Sequence, residues 1–143
     1  HSIVPDDKGF IWYTGNSNGT IGRLNPADGS IKEFPTQARD PHTAVFHPNG
    51  KLYFTSQHSN MLGRLDPESG EVREIETRRK PYGIKVGAGG DLFIASYSNK
   101  SSGAEGWEDR SFGNSSENSE YENGRSMRKR GVSNESNTSN ETN

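Results

Sequence analysis

Two histidines, His1 and His42, lead two stretches of sequence that match one another, His1-Ser2-Ile3-Val4 and His42-Thr43-Ala44-Val45. An imidazole titrates near neutral pH, so a pair of them at matching places is suited to acid–base chemistry. His42 follows a carboxylate in Arg39-Asp40-Pro41-His42, and a later stretch runs Thr55-Ser56-Gln57-His58. If folding gathers these residues, His42 and His1 are the candidate proton carriers. Asp40, Gln57 and His58 then line the same place as ligand contacts. A cluster of His, Asp and amide groups could also hold a divalent ion. The alternative is that each histidine only hydrogen-bonds a turn. Other chemistries find no footing in the sequence. There is no cysteine, which excludes disulfides and thiolate metal sites. Paired histidines at metal-binding spacing on one element are absent, and so is a Gly-x-Ser-x-Gly nucleophile turn.

The elements that must position these side chains follow from an internal repeat. Ile21-Gly22-Arg23-Leu24-Asn25-Pro26-Ala27-Asp28-Gly29 returns as Leu62-Gly63-Arg64-Leu65-Asp66-Pro67-Glu68-Ser69-Gly70, and Ile11-Trp12-Tyr13-Thr14 as Leu52-Tyr53-Phe54-Thr55. A third copy begins at Tyr82-Gly83-Ile84-Lys85 and continues through Leu92-Phe93-Ile94-Ala95. In the second copy four short strands are expected near 43–46, 51–55, 61–65 and 71–75. They are divided by Pro48-Asn49-Gly50, Gln57-His58-Ser59-Asn60 and Asp66-Pro67-Glu68-Ser69-Gly70. Such short, turn-forming gaps suit antiparallel hairpins. No stretch of 1–99 sustains a 3.6-residue period, which argues against helix.

Four antiparallel strands in a repeat of this length match a propeller blade. The expected fold is all-β, a β-propeller fragment with two complete four-stranded antiparallel blades and a two-stranded partial third. The repeats span 1–41, 42–81 and 82–99. Trp12, Tyr53 and Phe93 recur at one blade position and should be buried between neighbouring blades. Arg23 and Arg64 should hydrogen-bond from blade to blade. In a propeller the leading residues of the first strands and the ends of the second strands meet at one mouth of the central channel. That convergence is what would assemble the histidine cluster. Two blades and part of a third cannot close a ring, so the remaining blades are expected from a longer chain or from an oligomer.

Apolar residues make up 27% of the 143-residue chain, and mean hydropathy is −1.03. Most Val, Ile, Leu and Phe fall in 1–99. Residues 100–143 hold ten Ser and seven Asn, a composition that cannot bury enough apolar surface to offset ordering entropy, so a disordered tail is expected there. The tail carries a small basic run, Arg125-Ser126-Met127-Arg128-Lys129-Arg130, read as a solvated charge cluster. Its Asn114, Asn134, Asn137 and Asn140 each open a glycosylation sequon that an Asn/Ser-rich segment generates by chance. Net charge is −2, which gives no electrostatic case for nucleic acid or an anionic membrane surface. No apolar run approaches the length of a membrane-spanning helix. Compartment is not legible in the sequence.

The pattern Pro-His-x-x-Val…Gly-x-Leu-Tyr-Phe-Thr…Asn-x-Leu-Gly-Arg-Leu-Asp-Pro-x-x-Gly-x-Val-x-Glu resembles the virginiamycin B lyase (streptogramin lyase) family, over residues 1–99. Pro81-Tyr82-Gly83-Ile84 is similar to a variant of the same motif. Gluconolactonase-like and NHL-type propellers share much of the pattern. The resemblance implies a seven-bladed propeller and antibiotic-resistance chemistry: Mg²⁺-dependent opening of a cyclic depsipeptide at its ester, by elimination. It also implies a His base that takes the proton α to a carbonyl. The family's catalytic blade carries an acidic residue, Pro and His, then a strand-end Glu. Asp40-Pro41-His42 fits the first part, but the Glu position falls on Gln57, which carries no charge. The expected ligand is a small molecule or cyclic peptide at the channel mouth, and the chain alone is expected to be inactive. The contrasting readings are a non-catalytic binding propeller and a gluconolactonase-like hydrolase.

Overall fold

Asn25 and Asp66 open two matching turns, and their side chains explain why the chain reverses there. Asn25 Oδ1 accepts from the Ala27 amide at 3.0 Å, and Asp66 Oδ1 accepts from the Glu68 amide at 2.9 Å. Each turn closes with an amide-to-carbonyl bond of 2.8 Å, from Gly29 to Asn25 and from Gly70 to Asp66. Gly29 and Gly70 sit at φ 74° and 77°, a backbone region that glycine adopts without steric cost.

Such turns link short strands into three antiparallel sheets. The computed structural model describes residues 1–77, 79–97, 103–107 and 112. The first sheet is β1 (Ile3–Pro5), β2 (Ile11–Gly15), β3 (Thr20–Leu24) and β4 (Ile31–Pro35), in that order. The second is β5 (Pro41–Phe46), β6 (Leu52–Ser56), β7 (Met61–Leu65) and β8 (Val72–Glu76). The third is β9 (Lys80–Val86), β10 (Leu92–Tyr97) and β11 (Gly103–Trp107). The architecture is all-β, with two complete four-stranded blades and a partial third, as the repeat implied. The expected strands of the second repeat are each met to within about two residues.

Register carries the repeat into three dimensions. Trp12 pairs with Arg23 and Tyr53 with Arg64, while Tyr13 pairs with Gly22 and Phe54 with Gly63. A Cβ on Gly22 or Gly63 would lie 2.0 Å from the ring of Tyr13 or Phe54, so the aromatic ring lies flat where a side chain would otherwise stand.

Alternation along each strand gives every sheet two apolar faces. The leading face of the first sheet presents Trp12, Ile21 and Phe34. It packs on the trailing face of the second, Ala44, Leu52, Phe54 and Leu65. The leading face of the second sheet presents Tyr53 and Leu62 to Ile84, Leu92 and Ile94 of the third. Two seams of the same design therefore hold three sheets. The second sheet is covered on both sides, and all five residues of β6 are buried.

Three expectations are corrected. The third sheet has three strands, not two, because Gly103–Trp107 pairs along β10, with Phe93 opposite Gly106 and Leu92 opposite Trp107. Order therefore passes the expected boundary at Asn99, and Phe112 is also buried, against Tyr53 and the guanidinium of Arg64. The remainder of the expected disordered tail, with its basic run and sequons, lies outside the described residues. Trp12 and Tyr53 are fully buried as expected, but Phe93 is 40% exposed. It stands on the leading face of the third sheet, and among the described residues no fourth sheet covers it. Finally, Arg23 lies over the rings of Phe10 and Trp12 at 4.6 and 5.5 Å, in its own sheet rather than reaching across to a neighbour.

Candidate functional site

The innermost strands β1, β5 and β9 lie side by side along the arc. A bulge recurs at the start of two of them. Pro41 pairs with Ser56 and Ala44 with Phe54, so His42 and Thr43 together oppose Thr55. Likewise Pro81 pairs with Ser96 and Ile84 with Ile94, so Tyr82 and Gly83 oppose Ala95. A bulge re-aims the side chain it displaces. Here it brings the leading residues of three sheets into a ladder. The rings of His1 and His42 lie 3.5 Å apart between centroids, tilted by 30°, and those of His42 and Tyr82 lie 4.4 Å apart, tilted by 45°.

Threonine hydroxyls fix the ladder. Thr14 Oγ1 accepts from the Ser2 amide at 2.8 Å and donates to the carbonyl of His42 at 2.8 Å. One repeat later, Thr55 Oγ1 accepts from the Thr43 amide at 3.4 Å and donates to the carbonyl of Tyr82 at 2.7 Å. Each hydroxyl satisfies an amide of its own sheet and ties down the backbone of the next. The third copy has Ala95 at this position and cannot pass the bond on.

His42 is 7% exposed. Its Nδ1 lies 2.9 Å from Thr43 Oγ1, and the other ring nitrogen has no hydrogen-bond partner among the described residues. Burial, and then the positive α-amino group of His1, hold its pKa below the ordinary histidine value. The Asp40 carboxylate opposes them and His58 adds to the depression. These effects favour the neutral imidazole, the form a general base requires.

The other expected site residues divide. Asp40 is buried, but its carboxylate closes a turn: it accepts from the amides of His58 at 2.6 Å and Ser59 at 3.2 Å, and from the Ser59 hydroxyl. These bonds hold the β6–β7 turn in place. His58 is exposed on that turn, and Gln57 is half-buried at the end of β6. Both lie in the loop that Asp40 anchors, and His58 reaches His42 electrostatically. Asn60 completes the turn at φ 55°, the place that Gly19 fills at φ 65° one repeat earlier. The hydroxyl of Ser56, beside Pro41 in the ladder, is buried without a hydrogen-bond partner.

The sequence pointed to His1 and His42 but not to Tyr82 as the third ring. The signal was present, since Tyr82 heads the third copy as His42 heads the second. Thr14 and Thr55 were legible only as members of the strand motif.

The chain matches no protein-family model and no curated protein sequence. Solved structures do resemble it. A catalytically inactive virginiamycin B lyase from Staphylococcus aureus, crystallised with quinupristin, is 25% identical with a TM-score of 0.67. The match covers 76% of this chain and 38% of the lyase. A streptogramin B lyase is 24% identical with a TM-score of 0.61, over 73% of this chain and 39% of that one. Hydrazine synthase of Kuenenia stuttgartiensis matches in fold alone, at 16% identity and a TM-score of 0.69, over 78% of this chain and 33% of its own. The likeness to virginiamycin B lyases expected from the sequence motif is thus present in three dimensions. The chain spans about two fifths of the length of the lyases it matches.

Proposed function

We propose that this chain is an arc of a lyase-like propeller whose complete ring opens a cyclic depsipeptide at its ester by elimination. The observation that carries the reading is the convergence of His1, His42 and Tyr82 on one inner ladder, in a fold resembling lyase structures. In such an elimination a neutral imidazole takes the proton α to a carbonyl. The electron pair forms a carbon–carbon double bond, and the ester oxygen leaves as part of a carboxylate. His42 is the member of the ladder suited to that role, with His1 across the seam.

Mg²⁺, which the resemblance implies, does not fit the described residues. They contain no group of three or more His, Asp or Glu able to hold a metal ion. The carboxylate of Asp40 is engaged by the turn it anchors, and Gln57 carries no charge. This arc is therefore assigned the base and ligand contacts, not the metal. A non-catalytic binding propeller is the second reading, favoured by the same occupied Asp40. An incomplete constellation also loses rate steeply, on the order of a hundredfold for a misplacement of about 1 Å. The isolated chain is expected to bind without turning over.

The test incubates the chain, with and without Mg²⁺, with a streptogramin B depsipeptide and follows it by liquid chromatography and mass spectrometry. Elimination yields a ring-opened isomer of unchanged mass, whereas hydrolysis adds one water. In parallel, NMR follows the His and Tyr ring signals. Perturbation of His42 and Tyr82 without product supports the reading. Product that vanishes in His42→Ala refutes inertness of the isolated chain, a mass gain of water favours the hydrolase, and absence of any perturbation removes the ladder as a binding site.

A further inference from the structure

His42 and Thr43 are neighbours in sequence, and in a regular strand their side chains would leave opposite faces of the sheet. The bulge in β5 removes that separation. Both residues oppose Thr55, and Thr43 Oγ1 lies 2.9 Å from His42 Nδ1. Neither atom has a second hydrogen-bond partner among the described residues. The hydroxyl is not a fixture of the repeat. Ser2 follows His1, but Gly83 follows Tyr82. A hydroxyl thus stands next to each histidine of the ladder and is absent next to the tyrosine, which has no ring nitrogen to hold.

Stacking and this contact fix different freedoms of the imidazole. The rings of His1 and Tyr82, at 3.5 and 4.4 Å, bracket its plane. Thr43 decides which edge of the ring turns which way, because it holds Nδ1 and leaves Nε2 on the other side. Nε2 has no hydrogen-bond partner among the described residues, yet it is not sealed off. The buried side-chain atom without a partner there is the Ser56 hydroxyl. Nε2 is therefore the nitrogen that solvent or a ligand reaches.

The direction of the bond follows from what each alternative leaves behind. If the hydroxyl donated to Nδ1, the hydrogen would sit on Nε2, as an N–H without a protein acceptor in a ring only 7% exposed. Unpaired N–H groups in such surroundings are rare and costly. If the hydroxyl accepts from Nδ1–H, the unpaired ring atom is a bare nitrogen. The hydroxyl hydrogen then belongs to a half-buried side chain that can turn it toward water. Ser2 acts as an acceptor at the same place, since its Oγ takes the Ala44 amide at 3.3 Å.

We propose that Thr43 is the positioning residue of His42: it accepts from Nδ1–H and leaves Nε2 as the bare nitrogen that faces the ligand. The assignment rests on the reading of His42 as the base and deepens it. A general base needs its lone pair on the nitrogen that the substrate proton can reach. The tautomer of a histidine is set by the bond that its other nitrogen makes. Proton transfer to Nε2 then gives an imidazolium whose Nδ1–H is still held by Thr43, so the ring need not turn during the step.

Long-range ¹H–¹⁵N NMR spectra of the ¹⁵N-labelled full chain test this at mildly alkaline pH, with the His42 signals identified by their loss in His42→Phe. A ring nitrogen that carries hydrogen and one that is bare resonate far apart, so the spectrum reads the tautomer directly. The wild type and Thr43→Ser are expected to show hydrogen on Nδ1 and a bare Nε2. Thr43→Val keeps the shape of the side chain and the bond from the residue 43 amide to Thr55 Oγ1. Its His42 signals are expected to shift toward hydrogen on Nε2, the form that a free imidazole side chain favours in water. A wild type with its hydrogen on Nε2 overturns the proposal, and so does Thr43→Val with the wild-type spectrum. The wild type decides the tautomer by itself, even where a variant fails to fold. No ligand or turnover enters the measurement, so its outcome is separate from that of the depsipeptide assay.

Discussion

Thr14 and Thr55 do at the residue scale what the histidines alone could not, since each fixes the backbone of the ring that follows it. Removing the Thr14 hydroxyl leaves the part-buried Ser2 amide and the buried His42 carbonyl without that partner, at a cost of about 1–3 kcal/mol. Thr14→Val is therefore expected to lower stability by about that amount in urea unfolding. It should also shift the ring resonances of His42, whose carbonyl accepts from Thr14. Thr55→Ala should move Tyr82 in the same way, while Ala95→Thr should leave both unchanged. His42 adds a pH dependence. The pKa of His42 is lowered in the folded state, chiefly by burial. The unfolded chain then binds the proton first, so this contribution to stability is complete above the ordinary histidine pKa. It is lost as pH falls from there toward the folded value. Melting temperature followed between neutral and mildly acid pH is expected to drop more steeply for the wild type than for His42→Phe, and equal slopes would remove His42 as the cause.

Strand and turn positions were legible in the sequence because they rest on local chemistry. The Asn25 and Asp66 turns, the alternation in β2 and β6, and the glycine under each aromatic ring all belong to short segments that repeat. The juxtaposition of His1 and His42 was legible because the repeat carried it. The turn that Asp40 anchors was not, because it depends on where the loop of His58 and Ser59 lies. Strand β11 was hidden for a different reason. Gly103–Trp107 lacks the Ile-Gly-Arg-Leu wording and sits in polar sequence, so only the edge of β10 selects it as a strand. Exposure of Phe93 likewise depends on what lies beyond it, not on its own segment. Gly63 gives an element-scale prediction. Its Cβ position is taken by the Phe54 ring, so Gly63→Ala must displace a buried aromatic side chain from the first seam. Overpacking of this kind costs about 1–3 kcal/mol. The variant should unfold at lower urea concentration with an unchanged slope, and Phe54→Leu should recover part of the loss by vacating the space.

At the scale of the whole molecule, the three sheets of the described residues form a one-dimensional stack, and stability should follow the number of covered faces. The second sheet is covered twice and the outer two once. Burial along the second strands records this directly: every residue of β6 is buried, whereas burial alternates along β2. Opening of an outer sheet breaks one seam, and opening of the middle sheet breaks both, so local unfolding free energies should differ between them. Amide hydrogen exchange is expected to be slowest in β6 and β7 and faster in β2, β3 and β10. Substitution at one register position should show the same gradient. Leu52 is fully buried and its counterpart Ile11 only half so. Leu52→Ala is expected to cost about 2–5 kcal/mol, the range for emptying a packed site, and Ile11→Ala clearly less. If the two cost the same, or if exchange is uniform along the arc, then the trailing face of the first sheet is covered in solution.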